Sequence, residues 1–254
     1  MRRRALSLLA ATLVVGVAAA CASEPKPEPE PTGLSAGAAC PELTEGGQQV
    51  VFGDEVGAEL GGVVLGSGST GVVLAHQAAG DVCQWLPYGR ELIDRGYRVL
   101  AFDFLGSGVS LGNGVPMARQ VEAAAAALRA EGAAKIVLVG ASMGGSAVLA
   151  ATPTLDPAAV AVVALSPPAG YGDADAAAAT PKITVPVFYG VGEQETSFAE
   201  STRRLYETTP KTAARELVLA PSVAHGVSLV NPGTGDADLR EKLAAFLTEH
   251  APPA

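Results

Sequence analysis

From about residue 48 onward, short aliphatic runs alternate with longer helix-like stretches, and few folds accommodate that alternation. The runs fall at residues 50–52, 62–65, 72–75, 97–102, 135–140, 160–165, 183–189 and 216–219. Between them lie helix candidates at 85–95, 116–131, 143–151, 197–208 and 236–249. Most of the runs are continuously apolar, with no in–out alternation, so both of their faces must be covered. This predicts an α/β fold: a mostly parallel central sheet of about eight strands with helices on both faces. The first two runs are joined by a short turn, which suits an antiparallel pair. One domain over residues 40–250 has the length to bury such a core.

In sheets of this kind, ligands bind beyond the carboxyl ends of the strands. The chemically distinctive residues of this chain cluster there: His76-Gln77, Asp103, Ser142, Glu193 with Glu195, and His225 each follow an expected strand. Gly140-Ala141-Ser142-Met143-Gly144 sits between a strand and a helix. A sharp strand-to-helix turn lifts a serine oxygen toward an approaching carbonyl carbon, and only small neighbours allow it. The helix start adds unpaired N–H groups where an oxyanion would form. The competing reading is a tight glycine-rich turn with an idle serine.

Only three histidines exist. His225, in the loop after the last strand, suits a general base reaching Ser142 from across the site. His250 falls in a C-terminal tail with Pro252 and Pro253, where a surface role is expected. The acid should lie between serine and histidine in chain order. Glu193 and Glu195 are the main candidates, with Asp173 and Asp175 behind them. Asp103 with Gly106-Ser107-Gly108 lacks the lysine and the following helix of a phosphate loop, so a structural turn is expected. Trp85 reads as a core anchor beside the Gln77 loop. No Cys/His/carboxylate cluster has metal-ligand spacing, so neither a metal nor another cofactor is expected.

Several stretches resemble the α/β-hydrolase superfamily: Val73-Leu74-Ala75-His76-Gln77, Gly96-Tyr97-Arg98-Val99, the Asp103–Ser110 segment, Gly140–Gly144 and Ala224-His225-Gly226. The likeness spans about 50 to 250 and is similar to the small, nearly lidless branch with dienelactone hydrolases and short esterases. Gln77 stands where glycine often follows the histidine, Leu105 where arginine is usual, and glutamate replaces the usual aspartate. The resemblance implies a serine hydrolase acting through an acyl-enzyme, with Ser142, His225 and Glu195 as catalytic residues and Glu193 as alternative acid. The preference for Glu195 comes from counting three residues past Gly192, the glycine taken to close the strand. The oxyanion hole would use the backbone N–H groups of Met143 and Gln77, with His76 supporting the loop. Only residues 166–182 separate two strands where other members carry a cap, so an open site taking accessible acyl esters is expected. The alternative is a non-catalytic surface lipoprotein that uses the scaffold for binding.

The N-terminus has a different character. Met1-Arg2-Arg3-Arg4, an apolar run from Ala5 to Ala20, and Cys21 after small residues read as a signal peptide over 1–20 followed by a lipidated cysteine. Ordinary cleavage, with Cys21 left free, is the alternative. The alternating prolines from Pro25 to Pro31 favour an extended stalk within 21–39. These features predict an exported protein anchored by lipid on the outer face of the cell membrane. The net charge of −9 disfavours nucleic acid as a partner. It becomes more negative once Arg2, Arg3 and Arg4 leave with the leader. In an exported protein, Cys40 and Cys83 are expected to pair, with separate buried thiols as the alternative.

Overall fold

In the computed structural model, the aliphatic runs assemble into one eight-stranded sheet in the order β1-β2-β4-β3-β5-β6-β7-β8. The structure describes residues 35–53 and 58–253; the expected leader, Cys21 and the proline-rich part of the stalk lie outside them. The strands are β1 (Gln48–Phe52), β2 (Leu60–Leu65), β3 (Thr70–Ala75), β4 (Arg98–Phe102), β5 (Lys135–Ala141), β6 (Ala161–Leu165), β7 (Val187–Gly192) and β8 (Arg215–Ala220). β2 pairs antiparallel with both β1 and β4, and every other pairing is parallel.

Side chains alternate across the sheet and feed two separate cores. Val63, Leu65, Val72 and Leu74 point to one face, which α2 (Leu86–Asp94) and α7 (Ala237–His250) cover through Leu86, Leu92, Leu243 and Phe246. Val64, Val73, Leu100 and Leu138 point to the other. That face is covered by α3 (Met117–Ala130), α4 (Met143–Ala151) and α6 (Thr196–Thr208) through Leu128, Leu149 and Leu205. Two-sided burial explains why the strands read as unbroken apolar runs. Trp85 is fully buried in the first core.

The register aligns the strand ends that matter. Ala75 pairs with Gly140, Ala141 with Leu165, Leu165 with Gly190, and Gly192 with Ala220. The next residues of five strands therefore leave the sheet along one rim.

Four details differ from the sequence reading. The chain is already packed ahead of residue 40, since Ala36 is buried in the first core. β7 begins at Val187, not 183, and runs on through Gly190 and Gly192. Thr180–Lys182 form a 3-10 turn, Ile183 plugs the second core, and Pro186, which has no N–H for the ladder, precedes the strand. The segment 166–182 contains a short helix, α5 (Ala176–Ala179), besides that turn, though nothing the size of a cap. His250 is the last residue of α7, with its ring 4.8 Å from that of Phe246, and is no part of a loose tail. The chain beyond it is fastened by Thr70 Oγ1 donating to the Pro252 carbonyl at 2.8 Å.

Cys40 and Cys83 form a disulfide with Cα atoms 5.9 Å apart. It joins the start of α1 (Pro41–Thr44) to the 3-10 turn Val82–Gln84 after β3. Among the described residues no helix is long and apolar enough to cross a membrane.

Candidate active site

Ser142 lies between β5 and α4 with φ 49° and ψ −115°, in a region that costs a non-glycine residue on the order of 1–3 kcal/mol. The surroundings enforce it. Its N–H donates to Leu165 O at 2.8 Å, and its carbonyl accepts from Ser146 N at 3.0 Å. A Cβ at Gly144 would lie 2.2 Å from Ala75 O, so only glycine lets α4 start this close to β3. A Cβ at Gly140 would meet Gly144 O at 2.2 Å, which fixes the other glycine of the motif. Ser142 is 7% exposed, and its Oγ has no hydrogen-bond partner among the described residues. The described non-glycine residues with positive φ are Ala79, Ser142 and Ser166, and all three sit on loops at the same rim.

The acid candidates separate cleanly. Glu195, at the entry to α6, places Oε1 2.5 Å from His225 Nδ1. Its side chain is 10% exposed and that of His225 is 30% exposed. Glu193 points elsewhere: it is 56% exposed and faces Arg203 at 3.5 Å. Asp173 accepts from Met117 N at 3.1 Å, and Asp175 caps α5 by accepting from Ala178 N. The carboxylate brought to the imidazole is that of Glu195. With Nδ1 so engaged, Nε2 is the ring nitrogen left to face a substrate. The Phe198 ring lies 4.4 Å from the His225 ring and covers one side of it.

The loop that carries His225 is seated directly beside Ser142. A Cβ at Gly226 would come within 3.2 Å of Ala141 Cβ, so the residue after the histidine abuts the residue before the serine. Gly226 N donates to Ser166 Oγ at 3.0 Å, and Val227 N donates to Gln77 Oε1 at 3.2 Å. No hydrogen bond joins Ser142 Oγ to His225. Such bonds in substrate-free sites commonly close only when substrate is present.

Across from this pair lies the loop after β3. The Met143 N–H, at the first position of α4, donates to no group among the described residues. The Gln77 N–H does: it reaches Gln84 Oε1 at 3.3 Å. The neighbouring Ala78 N–H has no partner among the described residues. The structure thus leaves open the amide one residue beyond the Gln77 expected from sequence. The close approach of Gly144 to Ala75 O and His76 O sets this loop against the start of α4.

His76 and Asp103 hold the loop from beneath. Phe104 N donates to His76 Nε2 at 3.0 Å, so the ring proton is on Nδ1, which donates to Gln77 O at 2.8 Å. Both nitrogens are occupied in the neutral form, and burial lowers the pKa of His76 in the same sense. His76 is a brace and not a proton shuttle. Asp103 accepts from Val82 N at 2.9 Å and Val109 N at 3.0 Å, tying the turn before α2 to the 103–110 turn. Burial raises its pKa, against the opposing effect of those two N–H donors.

A groove of about 510 Å³ opens beside Met143, walled by Phe104, Leu105, Val115, Met117 and Tyr171. Among the described residues lining it, Asp173 alone is charged. Among the described residues no cluster of His, Cys, Asp or Glu could hold a metal.

Sequence reasoning passed over Ser166 and Gln84. Ser166 carried one usable signal, its position directly after an expected strand in the same row as Ser142. Gln84 carried none, because its role depends on a contact across the turn.

A family model described as the alpha/beta hydrolase family matches residues 63–252. Among solved structures, an esterase from Pyrococcus furiosus superposes with a TM-score of 0.71 at 20% identity, covering 83% of this chain and 95% of that one. The enol-lactonase from Burkholderia xenovorans gives 0.63 at 18% identity, covering 78% and 99%. A thermophilic esterase from Thermogutta terrifontis gives 0.62 at 17% identity, covering 80% and 100%. No curated protein matches the chain in sequence.

Proposed function

The chain belongs to the α/β-hydrolase family, and on that footing we propose that it is a serine hydrolase that cleaves acyl esters through an acyl-enzyme on Ser142. One observation carries the reading: the Glu195–His225 pair, closed at 2.5 Å, is anchored against the residue preceding a serine held at positive φ. In this scheme Ser142 Oγ attacks the ester carbonyl carbon while His225 Nε2 takes its proton. The oxyanion is received by the Met143 N–H and an amide of the Gln77–Ala78 loop. Such a donor contributes about 2.7–4 kcal/mol to the transition state in comparable enzymes. His225 then returns the proton to the departing alkoxide, and water attacks the acyl-enzyme by the same path in reverse. Glu195 keeps the imidazole in the Nδ1–H tautomer and stabilises its cation.

The substrate reading follows from the groove. Its apolar walls and lone carboxylate suit electrically neutral acyl esters of modest size. The short 166–182 segment supports an open site and placement in the nearly lidless branch with dienelactone hydrolases. Turnover of p-nitrophenyl butyrate should exceed that of the palmitate ester, and the reverse order would contradict this. The leading test is labelling with a fluorophosphonate probe. Wild type should be labelled and Ser142→Ala should not. An unlabelled wild type would leave a binding scaffold in its place.

We also propose export and lipid anchoring at Cys21, on the strength of the basic start, the apolar run and the proline-rich stretch after it. A palmitate analogue should mark wild type and spare Cys21→Ala. Equal labelling of both would end the idea.

A further inference from the structure

We infer that Ser166 is a positioning residue that locks the acid and the base of this site into one unit; the inference rests on the serine-hydrolase reading above. Ser166 is the first residue after β6, is 0% exposed, and adopts φ 48°. Its N–H donates to Gly190 O at 2.7 Å, which ties it to the end of β7. Its hydroxyl is used twice. Oγ–H donates to Glu195 Oε2 at 2.8 Å, and Oγ accepts from Gly226 N at 3.0 Å. One side chain therefore grips the acid by the oxygen that His225 does not use, and the backbone directly after His225.

The geometry gives each bond a separate consequence. A carboxylate rotates about its last torsion unless both oxygens are held. With Oε2 pinned by Ser166, Oε1 stays aimed at Nδ1. The bond to Gly226 N fixes the backbone directly after His225, and so where the ring stands relative to Ser142. The chemical choice also matters. A neutral hydroxyl orients the carboxylate without cancelling its charge, as a cation would. Among the described residues His225 is the sole ion partner of Glu195, since Arg203 turns to Glu193. The strain at φ 48° is consistent with a position kept for its hydroxyl, because a residue chosen for backbone comfort there would be glycine.

Ser166→Gly makes the decisive variant, since glycine accepts the positive φ while removing the hydroxyl together with the one carbon that carries it. Folded Ser166→Gly should keep KM for p-nitrophenyl butyrate within about twofold and lose about tenfold to a hundredfold in kcat. Proton NMR supplies a readout independent of turnover. The downfield Nδ1–H signal of His225 should be sharp in wild type and lost or broadened in the variant. An unchanged signal, or a kcat within about twofold of wild type, would overturn the inference. If wild type neither turns over esters nor takes the probe, the hydrolase reading falls, while the resonance still decides on Ser166.

Discussion

The two sides of this site are finished in opposite ways. On the side built from the loops after β6, β7 and β8, hydrogen bonds are closed: Ser166 to Glu195, Glu195 to His225, and Gly226 back to Ser166. On the side built from the loops after β3 and β4, the supports are closed but the working edge is open. His76 and Asp103 are fully engaged beneath, while the Ala78 N–H and, facing it from the start of α4, the Met143 N–H have no partner among the described residues. The contrast fits the chemistry proposed. A charge that exists throughout the cycle, on Glu195, needs permanent partners. A charge that appears only in the transition state needs donors that are held in place and unoccupied beforehand. The strain at Ala79, Ser142 and Ser166 marks both sides as places where packing overrides backbone preference.

The largest effect should come from opening the closed side at its centre. Glu195→Gln replaces the acceptor facing Nδ1 with an amide that favours the wrong tautomer, and kcat should fall by about three to four orders of magnitude. Glu193→Gln, altering an exposed carboxylate paired with Arg203, should leave kcat within about twofold. Steady-state kinetics on the two variants decides the matter. The reverse pattern would transfer the acid role to Glu193 and dissolve the contrast.

The next effect is on stability, on the opposite side. The Cys40–Cys83 bridge closes a separation of 43 residues and lands one residue from Gln84, the contact of Gln77 N. Replacing both cysteines by serine should cost about 4 kcal/mol on the chain-entropy estimate for a loop of that size. Denaturant melts would show it. Native activity should fall less than stability does, because His76 and Asp103 brace the loop independently of the bridge.

These unequal roles also explain what the sequence could and could not reveal. The strands were legible because two-sided burial writes itself as aliphatic runs, and the elbow because its glycines are forced by contacts under 3 Å. The bounds of β7 are not legible because the apolar signal begins before Pro186, while Gly190 and Gly192 near its end read as a loop. His250 reads as tail in the sequence because the prolines behind it mask the end of α7. Ser166 stayed hidden for a different reason. A lone serine has no pattern of its own, and its partners lie 29 and 60 residues away in sequence. Residues that make a site by their type can be read in advance, whereas residues that make it by bridging others become visible only in three dimensions.

His76 offers a smaller, pH-dependent test of the supports under the open side. Its ring is buried and neutral, with a pKa lowered from 6.5, so the unfolded chain binds its proton first as the solution is acidified. Stability contributed by His76 is therefore complete above the unfolded value and is lost as pH falls below about 6.5. His76→Gln keeps one donor and one acceptor and removes the titration. The variant should be less stable than wild type at pH 8, by about 1–2 kcal/mol from imperfect bonds, and the gap should narrow toward pH 5. A gap that stays constant between those values would mean that His76 does not carry the slope.

The smallest effect discriminates most finely, because it asks which amide of the open side is the working donor. In the structure Gln84 Oε1 occupies the Gln77 N–H at 3.3 Å, a long and weak bond. If Gln77 is the donor, substrate must displace that carboxamide, and Gln84→Ala should raise kcat by about twofold to threefold by removing a competitor. If Ala78 is the donor, the Gln84 contact is part of what holds the loop in register. The same substitution should then lower kcat by a similar factor and leave KM nearly unchanged. The free Ala78 amide favours the second outcome. Gln84→Glu sharpens it: a carboxylate binds the Gln77 N–H more strongly, so it should depress turnover severely in the first case and preserve it in the second. A pair of variants that move kcat in opposite directions would assign the donor without any change to the backbone group itself.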